Sequence, residues 1–195
     1  MIMSIYKEEY KNVITVTNRK LSSRPFMEQM ERVVKLHPKA VILREKDLSE
    51  EEYAELAAQI LTLCKQYQVP CMLHTYLETA RKLQHPYIHL SLFLLKENSE
   101  KLSDFLAVGC SIHSVEEAKE AQKLGATYLT AGHIYTTDCK KGLPPRGLGF
   151  LREVCNAVTI PVYAIGGIHA GTGQIREVME CGASGACIMS EMMKI

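Results

Sequence analysis

The order of apolar runs along this chain predicts a (β/α)8 barrel, and three observations carry that prediction. Eight short β-rich runs recur about 25 residues apart, a period that fits one strand, one helix and two short loops. Several runs are almost wholly apolar, as strands covered on both faces must be. Helical stripes between them stop at Gly125-Ala126 and Gly182-Ala183, each directly before a new strand, so one βα unit is weakly repeated. An open, doubly wound sheet is the second architecture these alternations allow, and the count of eight strands favours the closed one.

The strands are expected at residues 13–17, 40–44, 70–74, 87–91, 106–112, 127–132, 161–165 and 186–189. Ser49-Glu50-Glu51-Glu52 reads as a capping box that opens the helix after the second strand. Behind it Tyr53, Leu56, Ala57, Ile60 and Cys64 form one apolar stripe. Ser114-Val115-Glu116-Glu117 repeats the box, followed by Ala118, Ala121 and Leu124. The fourth helix, expected around residues 96–102, looks truncated. Nothing in the 195 residues marks a linker, so residues 1–195 are read as a single domain.

Composition narrows the function classes. With 47% hydrophobic and 23% charged residues and a formal net charge of +1, the chain resembles an ordinary soluble protein. Neither nucleic acid nor a membrane is an expected partner. No signal pattern opens the sequence and its seven cysteines form no C-x-x-C pair, which together point to the reducing cytoplasm. Most of those cysteines are expected to be buried small hydrophobes. The apolar end, Met192-Met193-Lys194-Ile195, packs either internally or across a homodimer.

Barrels bind ligands at the carboxyl ends of their strands, so the residues just beyond each run are the candidates. Arg44 and Lys46 follow the second strand and make an anion clamp, or else an exposed charged loop. Gly166 and Gly167 follow the seventh and Ser190 the eighth, where barrels often hold a phosphate with help from a helix start. Ser190 would cap the last helical segment, bind the anion, or both. His133 follows the sixth strand and opens a loop of about a dozen residues, long enough to serve as a lid. An imidazole there titrates near neutral pH and is the candidate catalytic acid and base. Lys140, Lys141 and Arg146 lie in the same loop, facing either an anionic substrate or water. His74 and His89 end the third and fourth strands, but two histidines without a carboxylate make a poor metal site, so no metal is expected.

Together these blocks resemble the thiamine-phosphate synthase family of (β/α)8 barrels. The likeness runs through Val16-Thr17-Asn18-Arg19, Leu43-Arg44-Glu45-Lys46-Asp47-Leu48, Ser111-Ile112-His113-Ser114, the His133 loop and Ala164-Ile165-Gly166-Gly167-Ile168. The synthases carry Asn-Asp after the third strand and Gly-Gln-x-Asp after the fourth, and those aspartates hold a magnesium ion that binds pyrophosphate. This chain has His74-Thr75 and Ser91-Leu92-Phe93-Leu94 in their place, and His133 where the synthases have proline. Magnesium requires oxygen ligands that these side chains do not supply.

A histidine followed by Asp-Cys-Lys-Lys-Gly is similar to the thiazole tautomerase branch of the family. That resemblance implies a cofactor-free isomerase of thiamine biosynthesis. It would aromatise a thiazole carboxylate phosphate by a proton shift through His133. Arg44 and Lys46 would hold the carboxylate, Gly166, Gly167 and Ser190 the phosphate, and Lys140 would lie over the ring. Ser111 and Thr130 would line the floor, with Thr136 and Thr137 closing above. A phosphate-binding regulatory protein of the same fold and a residual synthase are the competing readings.

Overall fold

A computed structural model describes residues 8–140 and 142–195, with the side chain of Cys139 outside the description. Lys141 therefore lies outside the described residues. Eight parallel strands close on themselves in sequence order: β1 (Val13–Val16), β2 (Ala40–Leu43), β3 (Cys71–His74), β4 (Tyr87–Ser91), β5 (Ala107–Ile112), β6 (Tyr128–Gly132), β7 (Val162–Ile165) and β8 (Gly185–Ile188). The barrel closes through Ile14 beside Cys187. Every expected strand is present, with ends moved by a residue, and the open sheet is excluded.

The helices between them are α1 (Phe26–Lys35), α2 (Glu50–Gln66), α3 (Leu77–Lys82), α4 (Leu92–Asn98), α5 (Val115–Lys123), α6 (Gly147–Ala157) and α7 (Gln174–Glu180). In α2 the capping box forms as expected, Ser49 Oγ accepting from the Glu52 amide at 3.2 Å and Glu52 returning to the Ser49 amide at 2.9 Å. In α5 the box is offset. Ser114 Oγ accepts from the Glu117 amide, but the Glu117 carboxylate accepts from the His113 amide one residue further back. The fourth helix starts earlier than expected. Ser91 caps it at the last residue of β4, accepting from the Leu94 amide at 3.3 Å, so α4 begins with no intervening loop. Gly125 and Gly182 take the left-handed conformation at φ 94° and 100°, ending α5 and α7 as expected.

Two apolar layers result. The larger lies between strands and helices, where Val41, Leu43, Tyr53, Ile60, Leu90, Ile112 and Leu129 are all buried. The second fills the barrel itself with Ile14, Val16, Ala40, Ile42, Tyr128, Tyr163 and Cys187. Met192 and Met193 are fully buried and Gln29 Nε2 donates to the Met192 carbonyl at 2.7 Å, so the terminal segment packs internally. Of the described cysteines, five are buried and Cys155 is half-buried. No helix among the described residues is long and apolar enough to cross a membrane.

Candidate functional site

At the carboxyl ends of the strands the barrel opens into a cavity of about 1020 Å³. Arg44, Lys46, Ser111, Thr130, His133, Thr136, Thr137, Lys140, Gly166, Gly167 and Ser190 all line it. Arg146 does not. Its amide and Nε donate to the carbonyls of His133 and Gly132, so it braces the loop rather than meeting a ligand.

Arg44 and Lys46 reach the cavity because Glu45 between them is turned the other way. The Glu45 carboxylate is only 2% exposed. It accepts from Thr17 Oγ1 at 2.7 Å, from the Arg19 amide at 3.0 and 3.1 Å, and from Arg19 Nη1 at 3.2 Å. Thr17 Oγ1 in turn accepts from the Arg44 amide at 2.9 Å. Four hydrogen bonds therefore fix the residue separating two cations, and the loop after β2 becomes rigid. Arg19 and Lys20 also pair with Asp47, holding its carboxyl well below the usual range. In the sequence Glu45 stands out only as the middle of the Arg-Glu-Lys motif. Its signal was the Arg-Glu-Lys alternation itself, since neighbours on an extended segment point to opposite sides.

The floor is a hydrogen-bonded row inside the barrel. His89 Nδ1 lies 2.9 Å from Tyr128 Oη and Nε2 lies 2.8 Å from Ser111 Oγ, to which Thr130 Oγ1 donates at 3.1 Å. Tyr128 reaches His89 across β5 because the residue between them is Gly109. A Cβ there would sit 2.1 Å from the Tyr128 ring and 2.3 Å from His89 Nδ1. His74 stacks beside His89 with ring centroids 5.6 Å apart and binds Thr75 Oγ1 through Nδ1 at 2.6 Å. Burial, and then the Arg44 and Lys46 charges, push His89 down to about 3. His74 is lowered by burial first, then by His89 and the same cations. Both rings are neutral at ordinary pH.

The Gly166-Gly167 turn has φ of 103° and 68°. A Cβ on Gly166 would meet His133 Cβ at 2.4 Å, and one on Gly167 would meet the Thr136 carbonyl at 2.3 Å. These glycines let the β6 loop lie on the β7 loop, a packing requirement that exists alongside any anion-binding role. The helix-start contribution expected here is absent: α7 begins at Gln174, and residues 190–194 form a turn rather than a helix for Ser190 to cap. His133 is half-buried, follows a cis peptide from Gly132, and places Nε2 3.4 Å from the Leu143 carbonyl.

The magnesium of the synthases does not fit this donor set. Glu117 and Asp138 are the acids on the cavity wall; the first accepts from the His113 amide and the second lies on the loop after β6. Glu45 is committed to Thr17 and Arg19. At the end of β3 stand a neutral imidazole and a threonine, and at the start of α4 three apolar side chains. Among the described residues no three His, Cys, Asp or Glu side chains gather as a metal site.

A closed parallel barrel with cations and a glycine turn around a cavity at its strand ends defines the class, a (β/α)8 barrel protein with its candidate site at the carboxyl ends of the strands. The family follows from comparison. The family model described as thiamine monophosphate synthase matches residues 13–192, and the chain belongs to that family. A putative thiamine-phosphate synthase 2 of Aquifex aeolicus is 34% identical over 82% of this chain and 87% of its own length. A thiamine-phosphate synthase of Syntrophomonas wolfei is 33% identical over 91% of this chain and 86% of its own. The solved thiamine phosphate pyrophosphorylase of Pyrococcus furiosus superposes with a TM-score of 0.79 at 29% identity, covering 95% of this chain and 89% of that one.

These likenesses correct the expectation of a thiazole tautomerase, and with it the isomerase activity. The relatives bear synthase names, and the likeness extends over nearly the whole barrel. The tautomerase reading rested on His133 and its loop, one side chain on a frame that the synthases share.

Proposed function

We propose that this chain is a thiamine-phosphate synthase-type enzyme, condensing a phosphorylated thiazole with a pyrimidine carried as its pyrophosphate. The observation that carries the reading is that the Arg44 and Lys46 cations and the Gly166-Gly167 turn, on different strand ends, face one cavity, on a chain belonging to the synthase family. The amides of Gly166 and Gly167 with Ser190 Oγ would hold the thiazole phosphate. Arg44, Lys46 and Lys140 would receive the pyrophosphate.

In the condensation a ring nitrogen supplies the electron pair of the new C–N bond, and the C–O bond to pyrophosphate breaks with its pair going to the leaving oxygen. Negative charge grows on that oxygen, and cations aimed at it in a partly enclosed cavity lower the barrier. Ser111 and Thr130, oriented by His89, would position the rings from below, while Thr136 and Thr137 cover them. No proton need leave a carbon, so His133 would act as a hydrogen-bonding wall beside Gly166 rather than as an acid or base.

The test is formation of thiamine phosphate from the two partners, followed by chromatography, in buffers containing magnesium chloride and in buffers containing a chelator. Product is expected, with a rate reduced about 10–100-fold by Arg44→Gln, the scale of one charge-assisted contact made in the transition state. Absence of product in both buffers, from protein that still binds inorganic phosphate, overturns the assignment.

A further inference from the structure

Arg44, Lys46 and Lys140 line one cavity with no carboxylate among the described residues ion-paired to them. Arg44 and Lys46 leave the two sides of the Glu45 anchor, and Lys140 approaches from the short helical turn Asp138–Lys140 of the β6 loop. The ion pairs of this region join Arg19 and Lys20 to Glu45 and Asp47, outside the three. Lys46 feels the crowding: burial lowers its pKa first, then the charges of Arg44 and Lys140. Beneath them lie the two uncharged imidazoles, with both nitrogens of His89 engaged and Nδ1 of His74 engaged.

Such a wall is hostile to a divalent cation. The ion would face three positive charges with no free carboxylate at the β3 and β4 ends to offset them, and magnesium gives up its water only to hard oxygen ligands. The same wall suits a polyanion. Arginine offers a planar fork to two oxygens and each lysine a point charge, so three positive charges can face a diphosphate directly.

We propose that this end of the site takes a diphosphate directly on Arg44, Lys46 and Lys140, without a bridging divalent cation. The inference rests on reading the cavity as the substrate site, and it departs from the magnesium chemistry of the family. The charge that a metal would supply comes from the protein, and Thr75 and Leu94 stand where the family's metal-binding acids would, next to a His74–His89 pair that is neutral.

Titration calorimetry of the whole protein with inorganic pyrophosphate tests it, once in a chelating buffer and once with millimolar magnesium chloride. The expected result is binding in the chelating buffer, with an affinity within about threefold of the magnesium value. Lys46→Gln and Arg44→Gln should each weaken that binding about tenfold, the loss of one charge-assisted contact. A Lys140→Gln variant checks the loop cation separately. Raising salt should weaken binding, since the contact is ionic. Tightening of tenfold or more on adding magnesium, or no binding without it, overturns the inference. The two readings fail separately: metal-independent binding without condensation refutes the synthase assignment alone, and condensation that requires magnesium for pyrophosphate binding refutes this inference alone.

Discussion

Replacing Glu45 with glutamine probes how the barrel holds its cations. The substitution keeps the volume of a side chain that is 2% exposed but removes its charge. One oxygen becomes an amide nitrogen that cannot accept, and four contacts depend on the two oxygens: Thr17 Oγ1, the Arg19 amide at both, and Arg19 Nη1. Hydrogen bonds to a charged group contribute about 1.5–3 kcal/mol each, and a broken buried pair costs roughly 3–5 kcal/mol. The Arg19 side chain is 28% exposed, so water screens part of that loss. A destabilisation of about 2–3 kcal/mol follows, equivalent to a fall in Tm of roughly 5–10 °C for a domain of this size.

Anion binding should move as well, through two opposed effects. Removing a negative charge favours an incoming anion, but the Arg19 guanidinium already offsets that charge. Loss of the anchor frees the loop carrying Arg44 and Lys46, and ordering a long side chain again on binding costs about 0.5–1.5 kcal/mol. The second effect should win, with pyrophosphate affinity falling several-fold. Urea or thermal unfolding and calorimetry read the two quantities on one preparation. A variant that melts within about 1 °C of the parent and binds pyrophosphate as tightly would refute the anchoring role.

Two further outcomes follow from the buried floor. His89 is pushed to about 3 in the fold by burial, so on acidification the unfolded chain takes up a proton near the ordinary histidine value and the folded chain does not. Stability is therefore complete above about pH 6.5 and should fall by about 1.4 kcal/mol per pH unit for this group as pH drops below it. His74 adds loss in the same direction. Unfolding free energies measured from pH 7 to pH 5 should show that slope, and His89→Gln should flatten it; an unchanged slope would place the acid sensitivity elsewhere. Gly109→Ala should cost roughly 2–3 kcal/mol, because its methyl would overlap the Tyr128 ring and His89 together. Equal melting temperatures for that variant and the parent would show that the row of hydroxyls and imidazole tolerates being spread apart.

How far the sequence announced these features depends on whether each arises within one segment or between several. Strands and helices arise within segments. The alternation of apolar runs, the Ser49–Glu52 box and the glycines after α5 and α7 are local signals, and each appears where its own residues place it. Strand ends also put the candidate binding residues on one face of the barrel, so Arg44, Lys46, His133 and Gly166 share a cavity although they are far apart in the chain. The start of α4 escapes sequence patterning for a local reason. Ser91 serves at once as the last strand residue and the helix cap, and no turn residue separates the two elements.

What could not be read is what neighbouring strands do to each other. A glycine in β5 matters because of a tyrosine in β6 and a histidine in β4, and nothing in the residues around Gly109 announces either. Glu45 looks like a solvated charge until Thr17 and Arg19 of another βα unit are brought against it. The Gly166-Gly167 pair teaches the converse. Its sequence suggests a phosphate turn, yet the fold already demands both glycines so that His133 and Thr136 can lie against them. The pair therefore cannot by itself distinguish a binding loop from a packing contact. The three cations are different in kind, because packing alone gives no reason to gather like charges. Bringing Lys46 and Arg44 together with Lys140 costs electrostatic free energy in the folded chain, a cost that the proposed diphosphate would offset.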